Sequence, residues 1–349
     1  MKRFLYIFFV ITALLAYLVF NLLNTTGYFR ELVTKSPGRL LQTFNIKGAE
    51  DMEVLRDEGL LLVSADDRKG KKMGQPSDGG LYLINLKNEE SIIKSISEHL
   101  PKPFHPHGLS VLKLDSAKYQ VLVINHVEGI HSIESFILFG DSLVHQKTYK
   151  DELMISPNDV EIIGKDKFYF TNDHGTNAKI GRITEDYLGF GKGSVVFYDG
   201  RAFTTVATDL DYANGINYDK KRNLLFVALS KGFKIKVYQA GINGGLDFLE
   251  DIPLNTGPDN IDFDEKGNLW IGCHPNLIAF ANYAKLNNEY SPSEVIRITY
   301  KGKYNYDIES VFVDDGKMIQ ASSVACRYNK KLVIGNVMAD RFLIFEYPQ

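Results

Sequence analysis

Two segments of the chain share one pattern: Tyr218-Asp219-Lys220-Lys221-Arg222-Asn223-Leu224-Leu225-Phe226-Val227 and Phe263-Asp264-Glu265-Lys266-Gly267-Asn268-Leu269-Trp270-Ile271-Gly272. Each reads as the end of a strand, an acidic turn that closes in Asn-Leu, and a second strand. A looser copy follows at Phe312-Val313-Asp314-Asp315-Gly316-Lys317-Met318-Ile319. The copies lie about 45 residues apart, which is the length of one four-stranded propeller blade.

Short strand-like runs continue this pattern over most of the chain. About two dozen runs are separated by Gly, Asp, Asn and Lys at a spacing of about 8–12 residues. Such spacing is typical of a sandwich, a barrel or a propeller, and the repeat favours the propeller. At about 45 residues per blade, residues 40–349 would form six or seven blades. We predict an all-β, six-bladed β-propeller over 40–349, with helical candidates at Glu90–Glu98 and Asn276–Ala284.

The first residues form a different kind of segment. Lys2 and Arg3 precede a largely apolar run from Phe4 to Leu23. A run of about 20 residues can cross a membrane as a helix, and no small-residue cleavage triplet follows it. We predict a signal anchor at residues 1–24 and a linker at 25–39, with the propeller outside the cytoplasm because basic residues stay on the cytoplasmic side. A cleaved signal peptide, which would give a secreted protein, is the alternative.

Composition and charge argue against several classes of function. The 349-residue chain has a formal net charge of −3 with both signs mixed along it, which gives no support for nucleic-acid binding. It contains no Gly-x-Ser-x-Gly elbow, P-loop or dinucleotide fingerprint. Its two cysteines, Cys273 and Cys326, are too few for a disulfide framework, and we expect both to be buried as free thiols.

Four segments place acidic or amide residues directly before an apolar run. They are Glu50-Asp51-Met52-Glu53-Val54, Pro157-Asn158-Asp159-Val160, Ala213-Asn214-Gly215-Ile216-Asn217 and Pro258-Asp259-Asn260-Ile261-Asp262. The innermost strand of each propeller blade lines the central channel, so polar residues at the starts of these strands can converge. Their oxygens suit calcium, which takes six to eight oxygen ligands, and do not suit zinc. The alternative is that each pair only opens a turn.

Two histidines lie in contexts that suit acid–base chemistry. His107 precedes a glycine and an apolar strand, and His126 ends a strand after an asparagine. The pKa of imidazole lies near neutrality, so such a pair near a metal can act as a general base. Taken alone, each such histidine is more often a surface or hydrogen-bonded core residue. His174 and His274 are further candidates, whereas the polar surroundings of the others, His131 among them, suggest no role.

Taken together, these motifs resemble the paraoxonase/arylesterase family of calcium-dependent lactonases. The resemblance runs from about Lys47 to Glu346 in the order of the family's motifs. Its most specific strings are Thr171-Asn172-Asp173-His174 and Trp270-Ile271-Gly272-Cys273-His274-Pro275-Asn276. The other matching segments are Glu50-Asp51-Met52-Glu53, Pro106-His107-Gly108-Leu109, Ile124-Asn125-His126, Pro157-Asn158-Asp159-Val160, Ala213-Asn214-Gly215-Ile216-Asn217, Asp259-Asn260 and Leu332-Val333-Ile334-Gly335.

The resemblance implies a six-bladed propeller that holds two calcium ions in its channel and hydrolyses lactones and aryl esters. Five side chains would hold the catalytic ion: Glu50, Asn158, Asn214, Asp259 and Asn260. Three groups would hold the structural ion: Asp51, Asp159 and the backbone carbonyl of Leu109.

The resemblance also implies how the reaction would proceed. His107 and His126 would form an imidazole dyad in which His107 activates the attacking water, and Glu50 or Asp259 is the alternative base. Two other functions stay open at this point. One is a non-catalytic propeller that keeps calcium only for folding, and the other is a strictosidine-synthase-like propeller that catalyses condensation. The complete ligand set favours hydrolysis.

The chain departs from the family at two places. Family members usually join their first and last strands by a disulfide, but the neighbourhoods of Thr43 and Phe345 contain no cysteine. We therefore expect the ring to close by β pairing and packing. The segment Asp66–Gly79 is rich in Lys and Gly, and we expect it to form a loop at the active-site mouth, where the choice of substrate is made.

Overall fold

Strands dominate the fold. The computed structural model describes residues 2–88, 90–127 and 129–348, and within these residues the chain forms 24 β-strands and four α-helices. The strands are β1 (Leu40–Phe44), β2 (Ala49–Leu55), β3 (Leu60–Ala65), β4 (Gly80–Asn85), β5 (Ile93–Ser95), β6 (Pro106–Lys113), β7 (Lys118–Val127), β8 (Ile130–Phe139), β9 (Ser142–Tyr149), β10 (Pro157–Gly164), β11 (Lys167–Asn172), β12 (Gly193–Tyr198), β13 (Phe203–Leu210), β14 (Ala213–Asp219), β15 (Leu224–Leu229), β16 (Lys234–Ala240), β17 (Leu246–Pro253), β18 (Gly257–Phe263), β19 (Leu269–His274), β20 (Ser293–Gly302), β21 (Asn305–Asp314), β22 (Ser322–Tyr328), β23 (Lys331–Asn336) and β24 (Phe342–Glu346). The helices are α1 (Lys2–Thr25), α2 (Arg68–Lys72), α3 (Lys179–Leu188) and α4 (Leu277–Ala284).

The described strands form six four-stranded antiparallel sheets. Five sheets use consecutive strands, β2–β5, β6–β9, β10–β13, β14–β17 and β18–β21, and the sixth joins β22–β24 to β1. The first strand of each blade contacts the first strand of the next, so that β2, β6, β10, β14, β18 and β22 form a closed ring around the channel. The predicted six-bladed β-propeller is confirmed.

The ring closes through pairing of the two ends of the propeller chain. β1 pairs with β24, with Thr43 opposite Leu343, and the ring of Phe44 stacks on that of Phe342 at 4.9 Å. Both cysteines are free and buried. Closure without a disulfide, as expected from the sequence, therefore rests on hydrogen bonds between strands and on apolar packing.

The blades are held together by apolar side chains that fill the spaces between them. β15 and β19 are buried along their whole length, because each blade is covered on both faces by its neighbours. Trp270 and Phe226, one from each of the two repeated segments, are completely buried. At about 25 cal/mol per Å² of apolar surface, such burial is the main stabilising contribution to the fold.

An irregularity recurs where each innermost strand begins. In all six blades of the described chain, the register between the first and second strands shifts near the start of the first. The shift lies between Ala49 and Asp51 in β2 and between Pro258 and Ile261 in β18. A β-bulge of this kind re-aims side chains. The acid and amide motifs predicted to bind metal therefore lie in the bulged segments.

The N-terminal helix lies outside the propeller. Arg3–Thr25, with a mean hydropathy of 2.3, is the one helix in the described residues that is long and apolar enough to cross a membrane, and a signal sequence has the same properties. The following segment contacts the propeller. Arg30 forms an ion pair with the buried Glu294 at 2.6 Å, and the carbonyl of Thr26 accepts a hydrogen bond from Leu277 at the start of α4.

One helical prediction is confirmed and the other is wrong. Asn276 caps α4 by accepting a hydrogen bond from the amide of Ala279 at 2.9 Å. Glu90–Glu98 contains the strand β5 instead of a helix. Ile93 pairs with Ile84 of β4 and packs against the core, so pairing along the edge of the blade overrides the short apolar spacing.

Candidate active site

The starts of the innermost strands meet at one end of the channel. Five acid or amide residues from four blades lie there, each at most 4% exposed: Glu50, Asn158, Asn214, Asp259 and Asn260. The side-chain amide of Asn260 donates to Glu50 Oε1 at 3.0 Å, although 210 residues separate them in sequence. The fold therefore brings the five residues predicted for a catalytic ion into one buried polar region.

Each of these five residues has one buried side-chain oxygen that accepts no hydrogen bond from any described residue. The oxygens are Glu50 Oε2, Asn158 Oδ1, Asn214 Oδ1, Asp259 Oδ1 and Asn260 Oδ1. A buried acceptor without a partner costs about 1–3 kcal/mol. A hard cation that takes oxygen ligands would satisfy all five together.

Neighbouring side chains fix the direction of two of these oxygens. His274 Nε2 lies 2.8 Å from Asp259 Oδ2, and the ring of His274 stacks on Phe280 of α4 at 3.9 Å. The amide of Asn214 donates to Ser230 Oγ at 3.0 Å. In both residues one side-chain atom is held by the protein, and the other oxygen is left for a ligand.

Two glycines allow the innermost strands to approach closely. A Cβ atom on Gly108 would lie 2.5 Å from the Cα of Asp159, and one on Gly215 would lie 2.4 Å from the carbonyl oxygen of Asp259. Each glycine follows a candidate site residue, and each packs against the bulge of the next blade. Any larger residue here would push the ligand-bearing strands apart.

The set of donors fits calcium better than zinc. Among the described residues, no three His, Cys, Asp or Glu side chains converge as a metal-binding group, and three of the five donors at the channel end are asparagines. Calcium accepts carboxylate and amide oxygens in a flexible arrangement, whereas zinc prefers histidine nitrogen and cysteine sulfur.

A second acidic pair lies further into the channel. Asp51 Oδ2 accepts a hydrogen bond from the amide of Leu109 at 2.7 Å, and Asp159 Oδ2 accepts one from Ile216 at 2.8 Å. Burial raises the pKa of both carboxyls well above the ordinary value, and repulsion by Glu50 adds to this effect. A cation beside Asp51, Asp159 and the backbone of Leu109 would relieve this repulsion.

Three more carboxyls, which the sequence analysis did not assign, enclose the same channel. Glu53, Glu161 and Asp262 repel one another. Burial raises the pKa of Glu161 to about 8 and that of Asp262 to about 6. Arg56 donates to Asp262 at 2.9 Å and compensates one of the three charges. The carboxyls of the channel therefore outnumber the basic side chains that pair with them.

The segment Asp66–Gly79 contributes a cation to the site. It contains the short helix α2, so the prediction of a loop is corrected, and Asp67 caps that helix. Arg68 Nη2 lies 3.8 Å from Glu50 Oε2. Burial would raise the pKa of Glu50, but His107, Arg68 and Asn260 lower it to about 2. Glu50 is therefore an anion at neutral pH.

The two histidines predicted as a dyad lie beside Glu50. His107 Nε2 is 3.3 Å from Glu50 Oε2, and His107 Nδ1 is 2.8 Å from His126 Nε2. Burial lowers the pKa of His126 well below its ordinary value. His126 is therefore neutral at pH 7, and one of its ring nitrogens can accept a proton from His107.

A third imidazole, which the sequence analysis left without a role, continues this pair. His126 Nδ1 lies 2.8 Å from His131 Nδ1. In the hairpin of β7 and β8, Val127 pairs with Ile130 and His126 with His131. A tight hairpin places positions i and i+5 opposite each other, and this spacing is the sequence signal that would have identified His131.

His174 lies between two carboxylates near the channel. Its Nδ1 is 2.7 Å from Asp173 Oδ1 and its Nε2 is 3.1 Å from Asp186 Oδ1. Burial would lower the pKa of His174, but these two partners raise it to about 9. The ring of Tyr212 lies 5.1 Å away. His174 is therefore a cation at neutral pH and is unsuited to act as a base.

Comparison with known proteins identifies the family. The sequence model of the arylesterase family matches residues 30–344. The chain belongs to the arylesterase family. It is 34% identical over 300 residues to serum paraoxonase/arylesterase 1 of Homo sapiens, and 35% identical over 300 residues to that of Mus musculus, with 83% of each chain covered in both comparisons. The propeller is similar to that of a luciferin-regenerating enzyme, with a TM-score of 0.54 and 11% identity over 90% of this chain and 94% of that one; at this identity the similarity shows the fold alone.

Membership of the arylesterase family confirms the resemblance that the motifs predicted, and with it that the chain is an enzyme of this class. In this arylesterase the bulges collect all eight predicted metal-site residues and His107 along the channel, and His126 contacts His107 from β7. The individual roles of these residues stay predictions. Arg68 and His131 are the neighbours that the sequence analysis missed.

Proposed function

We propose that this arylesterase hydrolyses lactones and aryl esters with calcium bound in its channel and a histidine pair as the base. One observation carries the proposal: five buried oxygens without hydrogen-bond partners lie next to a hydrogen-bonded imidazole pair. A propeller that only needed calcium for folding would not require a hydrogen-bonded pair of imidazoles beside these oxygens. The family relationship supports the same class of substrate.

Two calcium sites would use the residues described above. Five side-chain oxygens would hold the catalytic ion: those of Glu50, Asn158, Asn214, Asp259 and Asn260. Two carboxylates and a backbone carbonyl would hold the structural ion: those of Asp51, Asp159 and Leu109. Calcium bound among the first five oxygens supplies Lewis acidity toward a carbonyl oxygen.

His107 is the residue that would move the proton. Its Nε2 faces Glu50 and the end of the channel, and its Nδ1 contacts His126. In the proposed reaction, Nε2 takes a proton from the water that attacks the ester carbon, while Nδ1 donates its own proton to His126. The carbon–oxygen bond to the leaving group then breaks, the leaving oxygen takes the second proton of the water that attacked, and the alcohol and the carboxylate leave. Glu50, with its lowered pKa, is a weak base.

The N-terminal segment would tether the enzyme. Residues 1–24 would act as a signal anchor, residues 25–39 as a linker that follows the propeller surface, and residues 40–349 as the catalytic domain outside the cytoplasm. The exposed, apolar α1 supports this arrangement. Alkaline phosphatase, which folds to an active enzyme only outside the cytoplasm, should be active when it is fused after the last residue of the propeller. An inactive fusion that is fully expressed would contradict the topology, whether the compartment is periplasmic, lumenal or extracellular.

The test of function compares two variants and two conditions. Phenyl acetate and a γ-lactone are assayed with calcium and with a chelator, using the wild type, His107→Gln and His145→Asn. His145 lies on the exposed face of β9 and contacts Glu134, so its variant is the control. We expect His107→Gln to lower kcat by about 10²–10⁴-fold while the calcium-dependent rise in Tm is kept. Wild-type turnover by His107→Gln, or full turnover after exhaustive chelation, would contradict the proposal.

A further inference from the structure

The imidazole pair of the proposed base is part of a longer chain. His107, His126 and His131 follow one another with nitrogen–nitrogen distances of 2.8 Å at both junctions. Their rings are 5.0 Å and 4.9 Å apart and steeply inclined. This inclination aims a ring nitrogen of each imidazole at a nitrogen of the next, which is the geometry that hydrogen bonding requires.

The three rings differ in where they lie. His107 contacts Glu50 at the end of the channel, and His126 and then His131 follow it away from Glu50. The side chain of His131 is in partial contact with solvent. The chain therefore runs from the reaction site to a third ring that water can reach.

We propose that His131 is the solvent end of a three-imidazole proton relay that carries the proton of the hydrolytic water out of the site. The inference rests on the proposed function, in which His107 is the base. His131 does not touch the substrate and acts only through His126. Each ring accepts a proton on one nitrogen and releases one from the other, as neutral imidazole can.

The relay matches the proton balance of the reaction. One ester and one water give one alcohol, one carboxylate and one proton at neutral pH. The water's proton goes to His107 Nε2, the proton of His107 Nδ1 to His126 Nε2, and the proton of His126 Nδ1 to His131 Nδ1. His131 Nε2 then releases a proton to solvent. No oxidant or co-reactant is needed, and a concerted flip of tautomers restores the starting state.

Charged neighbours keep the outer ring ready to accept a proton and to lose it again. Burial lowers the pKa of His131, the positive charge of Arg182 on α3 lowers it further, and the carboxylate of Asp173 raises it. His131 is therefore neutral at pH 7. It can receive a proton from His126 and then releases one readily, because its pKa is lowered.

Two substitutions separate a relay from a hydrogen bond that only positions His126. In His131→Asn, the amide keeps a polar group near the place of Nδ1 but cannot pass a proton through. In His131→Ala, the space is open to imidazole supplied in the buffer. His145→Asn in the same blade is the control, and Tm with calcium checks that each variant folds.

The readout is kcat for phenyl acetate at low and high imidazole concentration. We expect both His131 variants to lose on the order of tenfold in kcat at low buffer, less than the roughly 10²–10⁴-fold of a general base, with KM unchanged. Added imidazole should restore His131→Ala to the wild-type rate in a saturable manner. The wild type and His145→Asn should not respond to imidazole.

The outcomes distinguish the relay from the function on which it rests. If His107→Gln is inactive while both His131 variants turn over at the wild-type rate in every buffer, the relay is wrong and the proposed base stands. If His131→Asn is fully active and only His131→Ala is slow without rescue, His131 positions His126 and the relay is again wrong. If His107→Gln is fully active, the proposed function itself fails.

Discussion

His274 Nε2 holds one carboxylate oxygen of Asp259 at 2.8 Å, and the other oxygen of Asp259 has no partner among the described residues. The histidine is itself fixed by stacking on Phe280. α4 thus supports the candidate calcium site indirectly, because Phe280 of this helix fixes His274 and His274 fixes Asp259. The N-terminal segment contacts the start of the same helix.

Removal of this support should weaken calcium binding. His274→Ala frees the carboxylate of Asp259 to rotate, and loss of such a supporting contact costs about 10–100-fold in metal affinity. Calorimetric titration with calcium measures the change, with His145→Ala as the control. An unchanged calcium Kd in His274→Ala would show that the contact does not position the ligand.

Neutralising one deep carboxyl should stabilise the calcium-free protein in a pH-dependent way. The pKa of Glu161 is raised from 4.5 to about 8, so its ionisation destabilises the fold increasingly as pH rises from about 4 to 8. Glu161 keeps some exposure to solvent, which reduces the effect to about 1–2 kcal/mol. Glu161→Gln in chelator should therefore have a higher Tm than the wild type at pH 9 and an equal one at pH 4.

The control for this measurement is Glu98→Gln, because Glu98 is exposed at the surface. Equal Tm values for wild type and Glu161→Gln at pH 9 would mean that this carboxyl is not under electrostatic strain. A loss of stability at both pH values would mean that its hydrogen bond with Ser110 dominates.

His174 should stabilise the fold with the opposite dependence on pH. Its folded pKa is raised from 6.5 to about 9, so its contribution is complete below pH 6.5 and is lost as pH rises through about 9. After solvent screening we expect about 1–2 kcal/mol. The difference in unfolding free energy between wild type and His174→Asn should be larger at pH 6 than at pH 10. A difference that does not change with pH would contradict the ion pairs with Asp173 and Asp186.

The close contact between innermost strands gives a purely steric prediction. Gly108→Ala places a methyl group 2.5 Å from the Cα of Asp159, and such overpacking costs about 1–3 kcal/mol. Gly164→Ala in β10 is a matched control, because no atom lies within 4 Å of its added methyl group. Gly108→Ala should lower Tm and weaken calcium binding together. If Tm falls while calcium affinity is unchanged, the bulge does not set the spacing of the ligands.

The sequence was most informative where a pattern repeats. The Asn-Leu turn at Asn223 and again at Asn268 predicted the blades, because each blade solves the same packing problem with a similar strand–turn–strand unit. It was least informative over Glu90–Glu98, where a three-residue edge strand exists only because β4 is there to pair with it.

The candidate site could be predicted only in part. Acid and amide pairs before apolar runs indicated the residues that the bulges place at the channel. The partners came from elsewhere: Arg68 lies on a helix in a segment that we expected to be a loop, and His131 faces His126 only because of a tight hairpin. Such contacts depend on chain geometry, which local composition does not record.

Calcium stoichiometry tests the central claim most directly. Equilibrium dialysis against radioactive calcium counts the ions bound per chain in the wild type and in Asp259→Ala, and the hydrolysis of phenyl acetate is measured on the same samples. We expect two ions and full activity in the wild type, and one ion with almost no activity in Asp259→Ala. A wild-type enzyme that binds no calcium at saturating concentration and still hydrolyses the ester would contradict the account.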